Sequence, residues 1–494
     1  MSTPITLHEV KECLGAVETI SAETHPEISI VQVTEDSRKV GPGTLFTAVQ
    51  GERLDGHDYV DDAIAAGAVV ILSERELSEV SVPVLVVPHA RRALGLIAHR
   101  LQGDPSADIT VIGVTGTNGK SSTVTIVEHI LRSAGHAVAC FGTLGYVIAG
   151  KHRDAPHTTP FNEDLAKLFA EARDAGCTHV VMEVSSHALE QERVSGIAFD
   201  GAVFTNLTQD HLDYHANMDE YRDEKLKLFR SIPAETGFTV ANAEDPCFDA
   251  FAEAGARVQW AFGEGGDVFA EDVHLDANRT DFMLDTPWGR ARCSMGLLGQ
   301  HNISNFLGAA AVCGTMGISI DSIAEAARTL PSIPGRFEAI DCGQPYHVIV
   351  DYAHTEDGLR NVLIAARAIC SGTLRVVFGC GGDRDKTKRP KMGVVAAELA
   401  DYAIITSDNP RSESPERILL DTEMGMQRAG KKRDIDYVVI ENRKDAIESA
   451  LDGAEAGDLV MIAGKGHEDY QILNTETIHF DDREVARAWL EAKV

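Results

Sequence analysis

Ile109-Thr-Val-Ile-Gly-Val-Thr115 runs directly into Gly116-Thr117-Asn118-Gly119-Lys120-Ser121-Ser122. The first stretch is apolar and β-branched, the composition of a buried strand. The second is a Gly-rich turn ending in Lys-Ser, and helical spacing follows from Ser121 to about Ala134. Strand, Gly-rich turn, Lys-Ser and helix in that order make a phosphate-binding loop. Glycines let successive backbone N–H groups point at one anion, and the helix aims its positive end at the same point. Lys120 is placed to reach the outer phosphates and the Ser121 hydroxyl to ligate Mg²⁺. The spacing departs from the generic pattern, with five residues between Gly113 and Gly119 and two between Gly116 and Gly119. A nucleoside triphosphate is the expected ligand. Which nucleotide, and which reaction, does not follow from this loop.

On either side of the loop the chain alternates strand and helix signals. Before it lie apolar runs at Ile28–Val33, Thr44–Val49, Ala68–Leu72 and Val82–Val87, then a helical stretch from His89 to Leu101. After it come strand-like runs at Ala137–Phe141, His179–Val184, Gly201–Asn206 and Gly237–Ala241, separated by helical patterns. This order predicts a largely parallel sheet with helices on its faces. Arg257 to Leu298 reads as short antiparallel strands, followed by a helix from His301 to Met316. Pro331-Ser-Ile-Pro334-Gly335 is a turn-rich hinge. Beyond it, runs at Val348–Asp351, Leu374–Phe378, Tyr402–Thr406, Asp436–Ile440 and Leu459–Ala463 predict a second doubly wound domain. The expected class is α/β with three domains: residues 1–89, a central phosphate-loop domain at 90–334, and a Rossmann-like domain at 335–494.

The net charge of −31 opposes nucleic acid and anionic membranes, so an anionic substrate needs a local cluster of Lys, Arg and backbone amides. Nine scattered Cys without CxxC or zinc spacing suggest reduced thiols. No basic leader with an apolar core opens the chain, and no apolar run approaches a membrane span. A soluble, cytoplasmic protein is expected, with no nucleic-acid partner and no membrane insertion.

Polar residues at strand ends mark further chemistry. Glu183 closes an apolar run, a costly place for an unpaired carboxylate, and reads either as a Mg²⁺ ligand or as a solvated strand end. Asp210-His211-Leu-Asp-Tyr-His215 is a loop dense in polar groups, in which His211 is a possible metal ligand. Tyr221 to Phe229 has the spacing of an ordinary amphipathic helix, which puts Lys225 on the solvated charged face.

Thr115-Gly-Thr-Asn-Gly-Lys-Ser, Glu183-Val-Ser-Ser-His and Asp210-His-Leu-Asp-Tyr-His, in that order, resemble the Mur ligase family of ATP-dependent amide-forming enzymes. Other matching pieces run along the whole chain. They are Asp36-Ser37-Arg38, Gly299-Gln-His301-Asn302, Pro334-Gly-Arg336-Phe-Glu338, Asp351-Tyr-Ala-His354-Thr, Gly379-Cys-Gly-Gly-Asp383-Arg384-Asp-Lys386, Asp408-Asn409-Pro410-Arg411 and Gly464-Lys-Gly-His-Glu468.

The resemblance implies ATP held by residues 116–122, Asn302, Arg336, Asp351 and His354. It implies Mg²⁺ near Ser121, Glu183, His211 and Lys225, with Lys225 carrying a carbamate formed with CO₂. It also implies that Lys120, Glu183, His211 and Lys225 act in catalysis. Ser37, Thr158, Thr159, Ser185, Gln191 and Arg193 match contacts to a uridine-diphosphate muramoyl peptide. The chain departs from the family pattern at Glu52-Arg53-Leu54, at His157 and at Glu356, where a local loop difference is expected. Arg384, Asp408, Asn409, Pro410, Arg411, Gly464 and Glu468 match the acceptor site. A guanidinium suits the distal carboxylate of meso-diaminopimelate and a carboxylate suits its ammonium. The implied reaction joins meso-diaminopimelate to UDP-MurNAc-L-Ala-D-Glu at the expense of ATP, in a monomeric enzyme of peptidoglycan precursor synthesis. L-Lysine as acceptor, a related ligase such as folylpolyglutamate synthase or the D-Ala-D-Ala-adding enzyme, and a nucleotide-hydrolysing switch remain the rivals.

Overall fold

The computed structural model describes residues 3–15, 18–20, 27–51, 54–78, 80–276 and 279–493. Glu52 and Arg53, part of the departing uridine loop, lie outside the described residues.

The central sheet runs in the order Lys151–Arg153, Gly145–Ile148, Val138–Gly142, His179–Glu183, Thr110–Thr115, Gly201–Phe204, Phe238–Asn242, Val258–Phe262. All neighbours from Val138–Gly142 onward pair in parallel. The first two strands form an antiparallel edge that the sequence reading did not single out. Alternation along the strands builds two cores. Ile112 and Val114 face the helices Lys120–Ser133 and Gln300–Thr315, while Val111, Val180 and Met182 face the opposite layer.

A second sheet, in the order Glu338–Ala339, His347–Asp351, Leu459–Ala463, Leu374–Phe378, Tyr402–Ile405, Tyr437–Val439, carries the C-terminal part and is parallel apart from its first strand. The N-terminal sheet runs Glu18–Ile20, Val84–Val86, Ala68–Ser73, Thr44–Ala48, Gln32–Thr34. The result is an α/β protein with three domains, in which the central and C-terminal sheets present their carboxyl ends to shared clefts, the usual place for a site in such folds.

Three expectations change. Val258–Phe262 joins the central sheet in parallel, and antiparallel pairing begins only at Phe269–Leu275. The helix Phe248–Ala254 supplies the crossover that parallel pairing requires. The run at 28–33 is two strands. Ser29–Ile30 pairs with Ile5–Thr6, and Gln32–Thr34 pairs with Thr44–Phe46, with half-exposed Val31 between them. The helix Ala90–Leu101, expected to open the central domain, buries Ala93, Leu94, Ile97 and Leu101 with Leu7, Val33, Leu45 and Val70 of the N-terminal core. Ala166 of the helix Asn162–Asp174 reaches the same cluster, so this helix is the seam between two domains. Among the described residues no helix is long and apolar enough to cross a membrane, and all nine cysteines are free.

Candidate active site

The phosphate loop sits between the strand Thr110–Thr115 and the helix Lys120–Ser133. Gly116 has φ 145° and Gly119 φ 83°, both outside the range that L side chains favour. A Cβ on Gly116 would lie 1.9 Å from Thr205 Oγ1, and one on Gly119 would lie 2.3 Å from Asn305 Oδ1. Thr117 N donates to Asn206 O (2.8 Å) and Asn118 N to Asn206 Oδ1 (2.9 Å), which fixes the loop on its neighbouring strand. The helix itself begins at Gly119 with no side-chain cap. Its first-turn N–H groups have no intrahelical partner and point toward the cavity, as an anion site requires.

Lys120 is folded back. Its Nζ donates to Gly116 O (2.9 Å) and Thr117 O (2.7 Å). Burial, reinforced by Arg336, lowers its affinity for a proton, while Glu183 and Asp210 oppose the shift. Lys225 is 1% exposed and donates from Nζ to the same Gly116 carbonyl at 2.7 Å. This overturns the placement of Lys225 on a solvated face. The helix Met218–Ser231 turns that face inward, against the loop, and Tyr221 lies beneath the ammonium with its ring centroid 4.4 Å from Nζ. Burial and then the neighbouring Lys120 push Lys225 well below the usual lysine range. That shift favours the uncharged amine.

Glu183 ends its strand at 1% exposure, which removes the solvated-end alternative. Thr143 N donates to Oε1 (2.8 Å) and Thr143 Oγ1 to Oε2 (3.1 Å). Gly142 makes room, because a Cβ there would stand 2.4 Å from Oε1. Among the described residues Glu183 makes no ion pair within 4 Å, and its buried carboxylate lines the phosphate cavity with Lys120 as a more distant positive neighbour. His211 (φ 56°) lines the same cavity. Burial holds its imidazole down to about 3, against the pull of Asp210, and holds nearby His187 to about 4. Both rings are neutral near pH 7, the form that ligates metals. A buried carboxylate, a serine hydroxyl and neutral imidazole suit a hard divalent cation, provided Lys225 is not an ammonium. Among the described residues no group of three or more His, Cys, Asp or Glu is gathered as a metal cluster.

From the C-terminal side, Arg336 Nη2 donates to Ser121 Oγ (2.9 Å) and its guanidinium lies 4.4 Å from the Tyr352 ring centre. Asp351 accepts from Phe337 N and Ala353 N, each at 2.7 Å, and thereby sets the turn carrying Arg336 and His354. Asn302 Nδ2 donates to Leu298 O, and Asn302 borders the same cavity of about 700 Å³. Glu356 is the first residue of the helix Glu356–Ile369, capped by Thr355. That first helical position suits an acidic residue, as it also suits Pro.

A second cavity, of about 1000 Å³, adjoins the first across Thr143, Asp210, His211, His354 and Arg384. Arg384, Asp408, Asn409, Arg411, Gly464 and Glu468 line it, whereas Pro410 turns its carbonyl under Gly382 and stays off the wall. Arg411 has φ 52° and donates from Nη1 to Gly382 O (2.8 Å). Glu468 Oε2 accepts from Asn409 Nδ2 and Lys465 Nζ, each at 3.0 Å.

Thr158, Thr159, Ser185 and Arg193 border the first cavity. Thr159 Oγ1 donates to Glu183 O (2.8 Å), and Arg193 donates to Thr159 O (3.0 Å) and Gln191 Oε1 (2.7 Å). His157 lines both cavities. Ser37 lies in a 3₁₀ turn capped by Asp36 and borders neither cavity.

Sequence reasoning missed Thr143 and Lys388. Asp210, Tyr352 and Lys465 stood inside quoted motifs without a role. Thr143 acts partly through its backbone N–H, which no side-chain pattern reveals. Lys388 and Lys465 look like surface charges until packing buries them to 5% and 0% exposure.

Fold and site together define an α/β enzyme that holds a nucleotide at a phosphate loop and brings a second α/β domain against it. Family models match three segments: the Mur ligase family catalytic domain at 29–102, the Mur ligase middle domain at 114–313, and the Mur ligase glutamate ligase domain at 335–466. A UDP-N-acetylmuramoyl-L-alanyl-D-glutamate--2,6-diaminopimelate ligase of Geobacillus thermodenitrificans is 46% identical, covering 93% of this chain and 94% of that one. The enzyme of the same name from Bacillus licheniformis is 44% identical, covering 97% and 98%. A solved structure of a ligase of that name superposes with TM-score 0.71 at 31% identity, covering 99% of both chains. The MurF ligase of Thermotoga maritima in complex with ADP shares the fold, with TM-score 0.65 at 18% identity, covering 94% of this chain and 98% of that one. The chain belongs to the Mur ligase family.

Proposed function

We propose that the protein is an ATP-dependent ligase that adds meso-diaminopimelate to UDP-MurNAc-L-Ala-D-Glu in peptidoglycan precursor synthesis. The observation that carries this reading is the adjacency of two cavities, an uncapped phosphate loop on one side and the Arg384, Arg411 and Glu468 wall on the other.

The γ-phosphoryl group of ATP passes to the D-Glu γ-carboxylate, giving an acyl phosphate and ADP. The amine of the acceptor attacks that carbonyl, phosphate leaves with the C–O bond, and the amine gives up a proton. The first-turn N–H groups after Gly119 receive the phosphates. Lys120 leaves its own loop carbonyls to meet the transferring group. Ser121, Glu183, His211 and a carbamylated Lys225 would hold Mg²⁺, which would neutralise phosphoryl charge there. The neutral Lys225 amine adds to CO₂ and loses a proton, which turns a cation beside the metal site into an anion. Arg336, Asp351, His354 and Asn302 close over the nucleotide. Ser37 meets the uridine diphosphate, and Thr158, Thr159, Ser185, Gln191 and Arg193 bind the muramoyl peptide. Arg411 and Arg384 take the distal carboxylate of the acceptor and Glu468 its ammonium, with Asp408, Asn409, Pro410 and Gly464 shaping the pocket.

The test is phosphate release from ATP with UDP-MurNAc-L-Ala-D-Glu and meso-diaminopimelate, L-lysine or no acceptor, with product mass read in parallel. Release and a tripeptide mass with diaminopimelate alone are expected. Preference for lysine would remove the specificity assignment, and equal release without acceptor would leave only a nucleotide hydrolase.

A further inference from the structure

Among the described residues, a lysine and an imidazole of the C-terminal domain converge on one carboxylate of the central domain, Asp210. Lys388 Nζ lies 3.4 Å from Oδ1 and His354 Nε2 3.5 Å from Oδ2. Both Asp210 and Lys388 are enclosed, with side chains 7% and 6% exposed. Beside them Gln209 Nε2 donates to Asp385 Oδ2 (2.9 Å) and Thr387 Oγ1 (2.8 Å), and Lys391 donates to Gln209 Oε1.

The placement is specific. Asp210 precedes His211 on the phosphate side, and Lys388 opens the helix Lys388–Leu399 four residues after Arg384 on the acceptor side. Asp210 borders both cavities. A buried ion pair returns little net stability, since desolvation offsets its attraction. It does select one geometry, because any other docking leaves two charges buried and unpaired. When the domains separate, both ions regain water.

We propose that Asp210 and Lys388 form the latch of the closed enzyme. They are positioning residues that register the acceptor wall against the phosphate side, so that the amine meets the activated carboxylate. The inference rests on the ligase reading for its kinetic readout but not for its structural one.

The decisive experiment compares wild type with Lys388→Met, Lys388→Arg and Gln209→Ala, the last an outlying variant that folds even where Lys388→Met does not. Steady-state kinetics are paired with solution X-ray scattering in the presence of a non-hydrolysable ATP analogue and UDP-MurNAc-L-Ala-D-Glu. Lys388→Met is expected to lose about tenfold or more in kcat/KM for the acceptor, with ATP affinity and thermal midpoint held. Its radius of gyration stays at the ligand-free value where wild type contracts. Lys388→Arg recovers most of the rate, and Gln209→Ala shifts the same quantities in the same direction by less. Wild-type kinetics in Lys388→Met overturn the latch. So does lost activity that tracks a lower thermal midpoint while contraction is unchanged. If wild type itself forms no product with any amino acid, the ligase reading falls and the scattering comparison alone decides the latch.

Discussion

At the residue scale the site turns on side chains whose charge is set by burial. Lys225 and Lys120 share the Gly116 carbonyl, and two ammonium groups so close cannot both stay charged cheaply. Lys225→Ala is expected to reduce turnover by about 100-fold or more, with partial recovery on adding short carboxylates, measured as ADP release. Full activity without the additive would remove the carbamate. Arg411 has a left-handed backbone conformation, and its guanidinium is held by Gly382 O. Arg411→Ala should lower kcat/KM for diaminopimelate by about 10–100-fold and narrow its margin over L-lysine, measured by competition with product mass. The spacing in the sequence put Lys225 on the surface. An amphipathic pattern marks two faces of a helix without saying that another element covers the charged one.

At the element scale, strand ends and the glycines beside them build the geometry. Gly142 closes its strand where the Glu183 carboxylate must sit, and Thr143 then donates twice to that carboxylate. Gly142→Ala would drive a methyl into Oε1. It should cost about 100-fold in kcat, since a displacement near 1 Å is enough for that, while the unfolding midpoint in urea changes little. Gly119→Ala sets a left-handed residue against Asn305 at the helix start. It should weaken ATP binding, measured by calorimetry, before it affects the muramoyl substrate. The loop, its strand and its helix were legible because local composition dictates them. The edge hairpin Gly145–Ile148 with Lys151–Arg153, and the parallel seat of Val258–Phe262, were not, because pairing partners are chosen over long sequence separations.

At the scale of the whole molecule, buried imidazoles set a response to acid. His99 stands at the seam of the first two domains, 1% exposed, with neither ring nitrogen hydrogen-bonded. Burial holds it to about 4, and holds His179 to about 4 as well. The unfolded chain takes up protons near 6.5, before the folded one does. The stability these groups contribute is therefore whole above about pH 6.5 and falls away as pH drops toward 4. His99→Leu should be less acid-labile than wild type by up to about 3 kcal/mol near pH 4, read from urea unfolding between pH 7 and pH 4. Equal slopes in the two proteins would contradict the buried neutral state. Because acid also discharges the many carboxylates, the comparison with the variant isolates the imidazole.

By itself the sequence determined the strand–loop–helix that binds phosphate, the α/β class and the order of the chemical motifs. These depend on local propensity, side-chain periodicity and glycines at fixed offsets, all of which are short-range. Only the tertiary structure decided that Lys225 is buried against Gly116, that Thr143 holds Glu183, that the helix Ala90–Leu101 packs on the first sheet, and that Asp210 meets Lys388. Each of these joins residues far apart in the chain. Their burial, and hence their charge and reactivity, comes from packing that no local pattern encodes.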